Sequence, residues 1–535
     1  MAADVKKIAE WIDGKREILS SGRKNYENLC RQVTELFCPN RDDFGTRRSA
    51  GEDRVRRLYN PIGIQCVEMA SADLYGLLTD PSSYWFEYSF QNVNEMSDQM
   101  IVWLRRQSEI VFNLMYTPAA RFAEAIAKTY PDDLVYGTDI VYISWNNKRN
   151  CPLYQNMRLS ECYFDEDESG MPDTLIRCYE MTAKSMRDLF DENKLPKAVK
   201  DALCENKTDE KFKIVHAVFP NGEYDLKQVK QPFVSVIYTK DEKEVLEVSG
   251  YDEFPFAITR WETAPGEVWG RSKAMTALPD VQALQLMTKE MLEAAQLANR
   301  PALLFRKEED KLTIPVIKPG GYIPYTDTPP QPFNAGNNYK VAQDVIINIE
   351  ERIKREFALF KINDLKGTHR TREEVIQRVL EGTRLLGPVA GRQMTEKLDV
   401  ILLRTFNLCA RHGLLEPPPE DLPFIDLKVV YNSPIAKMMK FERADRYEQA
   451  FTLMSLFVNG NPSAMINVDT DGIVREIAKI YGVPEMLTTP EYVQATRQAQ
   501  QEAAMRQQNV VDAQNALDLT QQQQNLQMQD EMMTE

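Results

Sequence analysis

The sequence predicts an α+β fold that is mainly helical. Two long helical patterns, about Ala274 to Asn299 and Val341 to Phe360, flank a Pro- and Gly-rich interruption from Pro301 to about Asn338. From Tyr154 to Pro255 the pattern turns short and β-like. Amphipathic helical spacing returns on both sides of these regions.

Taken in order, residues 3–38 read as helix, because Ile8, Ile12 and Leu19, then Tyr26, Leu29, Val33 and Phe37, recur at helical spacing. CPNRDDFGTRRSAGEDRVRR follows as a polar loop with a basic bias. Residues 60–79 resume the helix until TDPSSYWFEYSF stops it at a Pro81 turn and leads into a strand. Residues 95–130 read as helix again. DLVYGTDIVYISW reads as a strand with Gly137 in its middle, hence a bulge or a point of close packing. Beyond it MRLSECYFDED, FKIVHAVFP, FVSVIYTK and VLEVSGY are strand candidates, with TAKSMRDLFDEN a helix between them. The mixture predicts an α+β lobe.

The central stretch opens FPFAITRWETAPGEVWGRSKAMTALPDVQALQ and closes on the basic loop NDLKGTHRTREE. In the second long pattern Val341, Val345, Ile349, Ile353, Phe357 and Phe360 make one apolar stripe. The interruption carries Pro301, Pro315, Pro319, Pro324, Pro329, Pro330 and Pro332, with strand-like LTIPVI and YIPY. After it, REEVIQRVLEGTRLLG and GRQMTEKLDVILLRTFNLCARHG are amphipathic helices, ended by the prolines of HGLLEPPPEDLP. IDLKVVY is a strand, and KMMKFERADRYEQAFTLMSLF and GIVREIAKIYG are helices. From Gln494 to the end there are 13 glutamines and no Gly or Pro, which reads as a helix that frays.

Composition bounds what such a chain does. Its 535 residues are enough for several domains, and 43% apolar and 27% charged residues are ordinary for a globular protein. The net charge of −15 leaves no uniformly basic surface for gripping nucleic acid. Cysteines at 30, 38, 66, 151, 162, 178, 204 and 409 form no CxxC pair and no metal spacing with the histidines, so they read as reduced thiols. MAADVKKIAEWIDGKRE lacks the apolar core of a signal peptide, and no run approaches the roughly 18 apolar residues of a membrane span.

Catalytic patterns are scarce. DEDESG at 165–170 resembles half of a calcium loop, but the twelfth position is Ile176 where a bidentate Glu is needed, so it reads as an acidic turn. His216, His369 and His412 fall in a strand, a loop and a helix end. GEVWGRS lacks the lysine of a phosphate loop and reads as a turn before a helix, with Ser272 as N-cap. Asp132–Asp133 reads as a solvated turn. No cofactor or metal is expected. Lys366, His369, Arg370 and Arg372 surround Gly367 in a short basic loop, which can touch phosphates without reading bases. Two long helices with a small insert at one end and a basic loop at the other suit a subunit of a ring whose helices wall a channel.

Four stretches carry a family resemblance: ASADLYGLLTDPSSYWFEY, DLVYGTDIVYI, FPFAITRWETAPGEVWGRSKAMTALPDVQALQ and HRTREEVIQRV, in that order. The chain resembles the portal, or head-to-tail connector, proteins of short-tailed bacteriophages over roughly residues 20–450. The resemblance implies a subunit with wing, two-helix stem, small α/β clip and helical crown. On this sequence the wing is 1–271 and 373–430, the stem 272–299 and 341–362, the clip 300–340 and the tunnel loop 363–372. The crown is 431–493 and the Gln-rich tail 494–535. It implies a homo-oligomer, normally a dodecamer, at one capsid vertex of the virion, assembled in the host cytoplasm. Double-stranded DNA passes through its channel during packaging and ejection without sequence readout.

Implied partners are the major capsid and scaffolding proteins, the terminase large subunit and tail adaptor proteins, with no membrane. Implied site residues are Lys366, His369, Arg370 and Arg372 in the tunnel loop. Glu350, Lys354 and Lys361 are channel-facing candidates on the stem, and Lys307, Glu308, Tyr322 and Tyr325 form a docking surface on the clip. Portal proteins are not enzymes. The alternatives are another ring-forming tail adaptor, or a DNA-processing enzyme of the packaging machinery, which would need a Walker A loop or a carboxylate cluster.

Overall fold

The computed structural model describes residues 2–41, 44, 51–90, 98–224, 229–300, 303–306, 322–325, 339–357, 389–419 and 427–432, with short stretches between 450 and 506. The chain divides into two units, Met1–Met438 and Met439–Glu535. In the second unit the described stretches, such as 472–475 and 495–500, are helical.

The first unit opens with helix α1 (Ala2–Phe37), which serves two cores. Ile8, Ala9 and Ile12 bury against a sheet with Val215, Ala217, Phe219 and Val236. Cys30, Val33 and Phe37 belong to the main core. Between these two apolar stripes the Arg23 side chain is fully buried. It donates to the carbonyls of Cys162 and Leu159, pairs with Glu27 at 3.1 Å, and lies over the Trp269 ring at 4.7 Å. A buried guanidinium is tolerable only when its donors are spent in this way.

Helix α2 (Ile62–Leu78), strand β1 (Phe86–Phe90), helix α3 (Asp98–Met115) and helix α4 (Phe122–Tyr136) follow. The single helix expected over 95–130 is therefore two. The chain turns at 116–121, where Arg121 adopts φ 58°, a left-handed conformation no helix interior takes. Nor is DLVYGTDIVYISW one strand. Asp133–Tyr136 close α4, Gly137 (φ 73°) caps it with N–H to Asp133 O at 2.9 Å, and strand β2 (Thr138–Asn146) begins afterwards. Alternating apolar residues look alike in the last turn of a buried helix and in a strand, and the glycine is a C-cap signal.

β2 lies between β3 (Cys151–Asn156) and β9 (Phe256–Arg260) in a three-stranded antiparallel sheet. A second sheet is an antiparallel meander of β4 (Cys162–Glu166), β5 (Pro172–Thr182), β6 (Lys211–Pro220), β7 (Phe233–Thr239) and β8 (Val245–Tyr251). Val215, Ala217 and Phe219 alternate toward α1, while Ile214 and Leu246 pack on helices α5 (Ala183–Leu189) and α6 (Lys197–Cys204). Strand β5 and helix α6 were not expected as elements. The DEDESG turn is the β4–β5 connection: Asp167 Oδ1 accepts from Ser169 Oγ at 2.5 Å and from Met171 N and Ser169 N at 2.9 and 2.8 Å, which lowers its pKa.

Two-residue strands β10 (Glu262–Thr263) and β11 (Gly270–Arg271) lead into helix α7 (Lys273–Asn299), which Ser272 caps, its Oγ accepting from Met275 N at 3.0 Å. β12 (Leu303–Arg306) and β13 (Tyr322–Tyr325) pair in parallel. YIPY is thus a strand, its partner is LLFR, and LTIPVI lies outside the described residues. Helix α8 (Tyr339–Phe357) returns along α7. Its buried residues are Ile346, Ile353 and Phe357, whereas Val345 is 39% exposed, so the expected stripe needs correction. A step of four residues overshoots a 3.6-residue turn by about 40°, so Val345 stands about 120° round from Phe357 and Ile346 within about 20° of it. A π turn (Gln393–Leu398) runs into helix α9 (Asp399–Arg411). β14 (Leu427–Tyr431), the expected IDLKVVY strand, pairs antiparallel with β1, Phe86 opposite Tyr431.

Candidate functional site

Three of the stretches that carry the family pattern pack around one junction. Gly270 sits against Gly137 so closely that a Cβ on it would lie 1.8 Å from Gly137 O. Gly137 has φ +73°, and a Cβ there would lie 2.6 Å from Arg271 C. Only glycine fits both positions. The contact is stitched by Gly270 N to Thr138 Oγ1 and Trp261 N to Gly137 O, each 2.9 Å. Ser272 Oγ donates to Val135 O at 2.8 Å while capping α7, so the start of the long helix is bonded to the end of α4. The first stretch joins through α4: the Thr79 and Tyr130 hydroxyls are 2.9 Å apart, and Tyr116 Oη donates to Thr79 O at 2.9 Å.

From this anchorage α7 and α8 extend as an antiparallel pair. The 27 residues of α7 span about 40 Å. Val281 and Leu284 face the core shared with Ile346, Ile353 and Phe357, and Phe357 meets the Phe37 ring at 5.8 Å. Ion pairs tie the outer edges, Arg352 to Asp280 at 2.5 Å and Lys273 to Glu356 at 3.7 Å. Near α8's midpoint Glu350 is half-buried and accepts from Asn60 Nδ2 at 2.8 Å, while Lys354 is exposed. Lys361, Lys307, Glu308 and the loop residues Lys366, His369, Arg370 and Arg372 lie outside the described residues. Tyr322 and Tyr325 are the end residues of β13. The described residues thus hold the two long helices and, between them in sequence, a small parallel strand pair.

Groups of catalytic type are engaged elsewhere. His216 is buried beside Ser235, 3.1 Å from its Oγ; burial, then Arg177, lower its pKa to about 4, so the ring is neutral. His412 stacks on Trp145 with ring centroids 4.0 Å apart. Burial raises the thiols of Cys38 and Cys66 to about 12 and about 11, far from thiolate reactivity. A cleft of about 740 Å³ runs past Phe37, Val67, Met157 and Leu159. In its polar wall Arg41 pairs with Asp132, and Asn156 Nδ2 donates to Asp132 Oδ2 at 2.9 Å. Asp132 and Asp133, expected as a solvated turn, are buried in α4. Among the described residues no group of three or more His, Cys, Asp or Glu could hold a metal ion. No described helix is long and apolar enough to cross a membrane.

Comparison with known proteins shows the family to which the sequence is similar. The sequence model of the family described as "Bacteriophage head to tail connecting protein" matches residues 9–488. The chain is 24% identical over 512 residues to the "Probable portal protein" of Bordetella phage BPP-1, covering 91% of this chain and 90% of that protein. It is 24% identical over 518 residues to the "Portal protein" of Salmonella phage epsilon15, covering 90% and 89%.

Proposed function

As the chain belongs to the bacteriophage head to tail connecting protein family, we propose that its copies close into a ring, a dodecamer at one capsid vertex, through which double-stranded DNA is packaged and ejected. One observation carries the reading. The α7–α8 pair leaves large apolar side chains in solvent: Leu286 is 57% exposed, Leu292 45% and Ile347 45%. Exposed apolar groups on a long paired element are covered in an assembly, and a head-to-tail ring places one copy's pair against the next.

In this reading α7 and α8 are the stem, β12 and β13 belong to the clip, and 363–372 is the tunnel loop. Lys354, exposed on α8, and Lys361 face the channel; Glu350 is held by Asn60 and contributes less. Lys366, His369, Arg370 and Arg372 touch the DNA backbone without reading sequence. A net charge of −15 per copy supports sliding over gripping, because few phosphates are then neutralised along the wall. The clip, with Lys307, Glu308, Tyr322 and Tyr325, docks the terminase large subunit and later the tail adaptors, while the wing meets capsid and scaffolding proteins. The protein works as a virion component rather than an enzyme.

The test is the mass of the native particle, by native mass spectrometry with negative-stain images, on wild type and on the Lys366→Ala/Arg370→Ala double variant. Rings are expected from both, with DNA packaging or retention lowered only in the variant. A wild-type monomer at every concentration refutes the ring; a variant that fails to assemble makes the loop a subunit contact instead.

A further inference from the structure

Away from the paired helices, three charged side chains meet in the interior with no exposure at all: Lys397 of the π turn, Asp133 of α4 and Asp139 of β2. Lys397 Nζ is 2.6 Å from Asp133 Oδ2 and 2.6 Å from Asp139 Oδ2. It also donates to Thr129 Oγ1 at 3.2 Å and lies 4.8 Å from the Tyr130 ring. Gln393, one turn earlier, donates to Asp133 Oδ2 at 3.0 Å.

The charges do not balance. One ammonium faces two carboxylates, so full ionisation would leave one negative charge where no water reaches. Asp133 Oδ1 and both carboxyl oxygens of Asp139 also lack a hydrogen-bond partner, Asp139 Oδ2 having only its ion pair with Lys397. Nearby charges do not supply the difference. Arg260 of β9 is spent on Glu396 at 3.2 Å, on Glu166 at 2.6 Å and on Gly170 O at 2.7 Å. Arg392 is 3.6 Å from the same Glu396. The hydroxyls of Tyr130 and Tyr75 are raised by burial and stay neutral. An unpaired charge is among the costliest things a protein interior can hold, and a carboxylate in that position takes up a proton instead.

We infer that Asp133, Asp139 and Lys397 form a proton-binding site, which holds one proton on Asp139, shared with Asp133, and that this neutral set fastens the π turn to α4 and β2. Burial and then the Asp133 charge raise the Asp139 pKa well above the carboxylate range, against the pull of Lys397. Burial works against the ammonium too, but the two carboxylates together keep it charged. The proton balance also gives one orphan oxygen on each carboxyl a partner, since a protonated Asp139 is a donor and Asp133 the acceptor within reach. The π turn carries Gln393 and Lys397 to this site and Glu396 to Arg260, so it is clamped on two sides.

A group whose folded pKa is raised stabilises the fold fully below its unfolded value, about 4 for Asp, and loses that contribution as pH rises through the folded value. The π turn therefore loosens as pH rises from the unfolded value of Asp139 through its raised folded value. This inference is independent of the ring reading, because it concerns the interior of one subunit.

Infrared difference spectroscopy on the full chain at pH 7 tests it, because a protonated carboxyl has a carbonyl stretch distinct from a carboxylate. The wild-type spectrum is expected to contain a protonated-carboxyl band that Asp139→Asn removes. Asparagine copies the shape and neutrality of the protonated acid, so Asp139→Asn should stay within about 2 °C of the wild-type Tm at pH 7 and flatten its decline with rising pH. Asp133→Asn should cost more, because it strips Lys397 of its ionised partner. A band unchanged in Asp139→Asn, or a Tm loss in that variant as large as in Asp133→Asn, overturns the proposal.

Discussion

Gly270 and Gly14 are the same residue type under opposite constraints. A Cβ at Gly270 would collide with the Gly137 backbone at 1.8 Å, and no flexible side chain stands in the way to yield. Gly14 lies within α1 with nothing inside 4 Å. Gly270→Ala should therefore destabilise by about 3 kcal/mol or more, since strands must separate to admit the methyl. Gly14→Ala should stabilise by about 0.5–1 kcal/mol, because alanine loses less backbone freedom on entering a helix. Denaturant melts of both variants check the sign; a neutral Gly270→Ala would mean that the junction is not packed as described.

Among elements, the α7–α8 pair shows what periodicity can and cannot assign. Both helices were legible because long apolar spacing persists over several turns and Ser272 gives a cap. Which face of α8 turns inward was not, because rows at i+4 drift around the helix and α8 holds apolar residues on both sides. Ile346 is buried where Val345 was expected, and Ile347 is left in solvent. That surplus gives a prediction. The double variant Leu286→Ser/Ile347→Ser should change subunit stability by less than about 0.5 kcal/mol, since both side chains are exposed in one chain. It should nevertheless lower the yield of rings. Circular dichroism reads the first effect and native mass spectrometry the second; full ring yield would move the subunit contact elsewhere.

For the whole molecule, distant segments close the first unit. β1 and β14 pair Phe86 with Tyr431, and Asn432 N donates to Trp85 O at 2.8 Å. Closing so long a loop is affordable because its entropy grows only with the logarithm of length. β12 and β13 are different: a two-stranded pair between two helices adds little to the core. Deleting 308–335 should therefore spare subunit folding, reduce ring formation and abolish motor docking. Melting, particle mass and a terminase pull-down measure these in turn, and normal docking by the deleted ring would refute the clip assignment.

The sequence by itself determined the α+β class, most helices, the meander's clearest strands and the family. These rest on local spacing, turn residues and motif order, all of which are one-dimensional. Only the tertiary structure decided why Gly137 and Gly270 must be glycine, because each matters for the other's backbone rather than for its own turn alone. It also decided that Asp133, Asp139 and Lys397 share one buried site. A charged residue in a sequence looks solvated until its partners are known, and long-range packing alone supplies those partners.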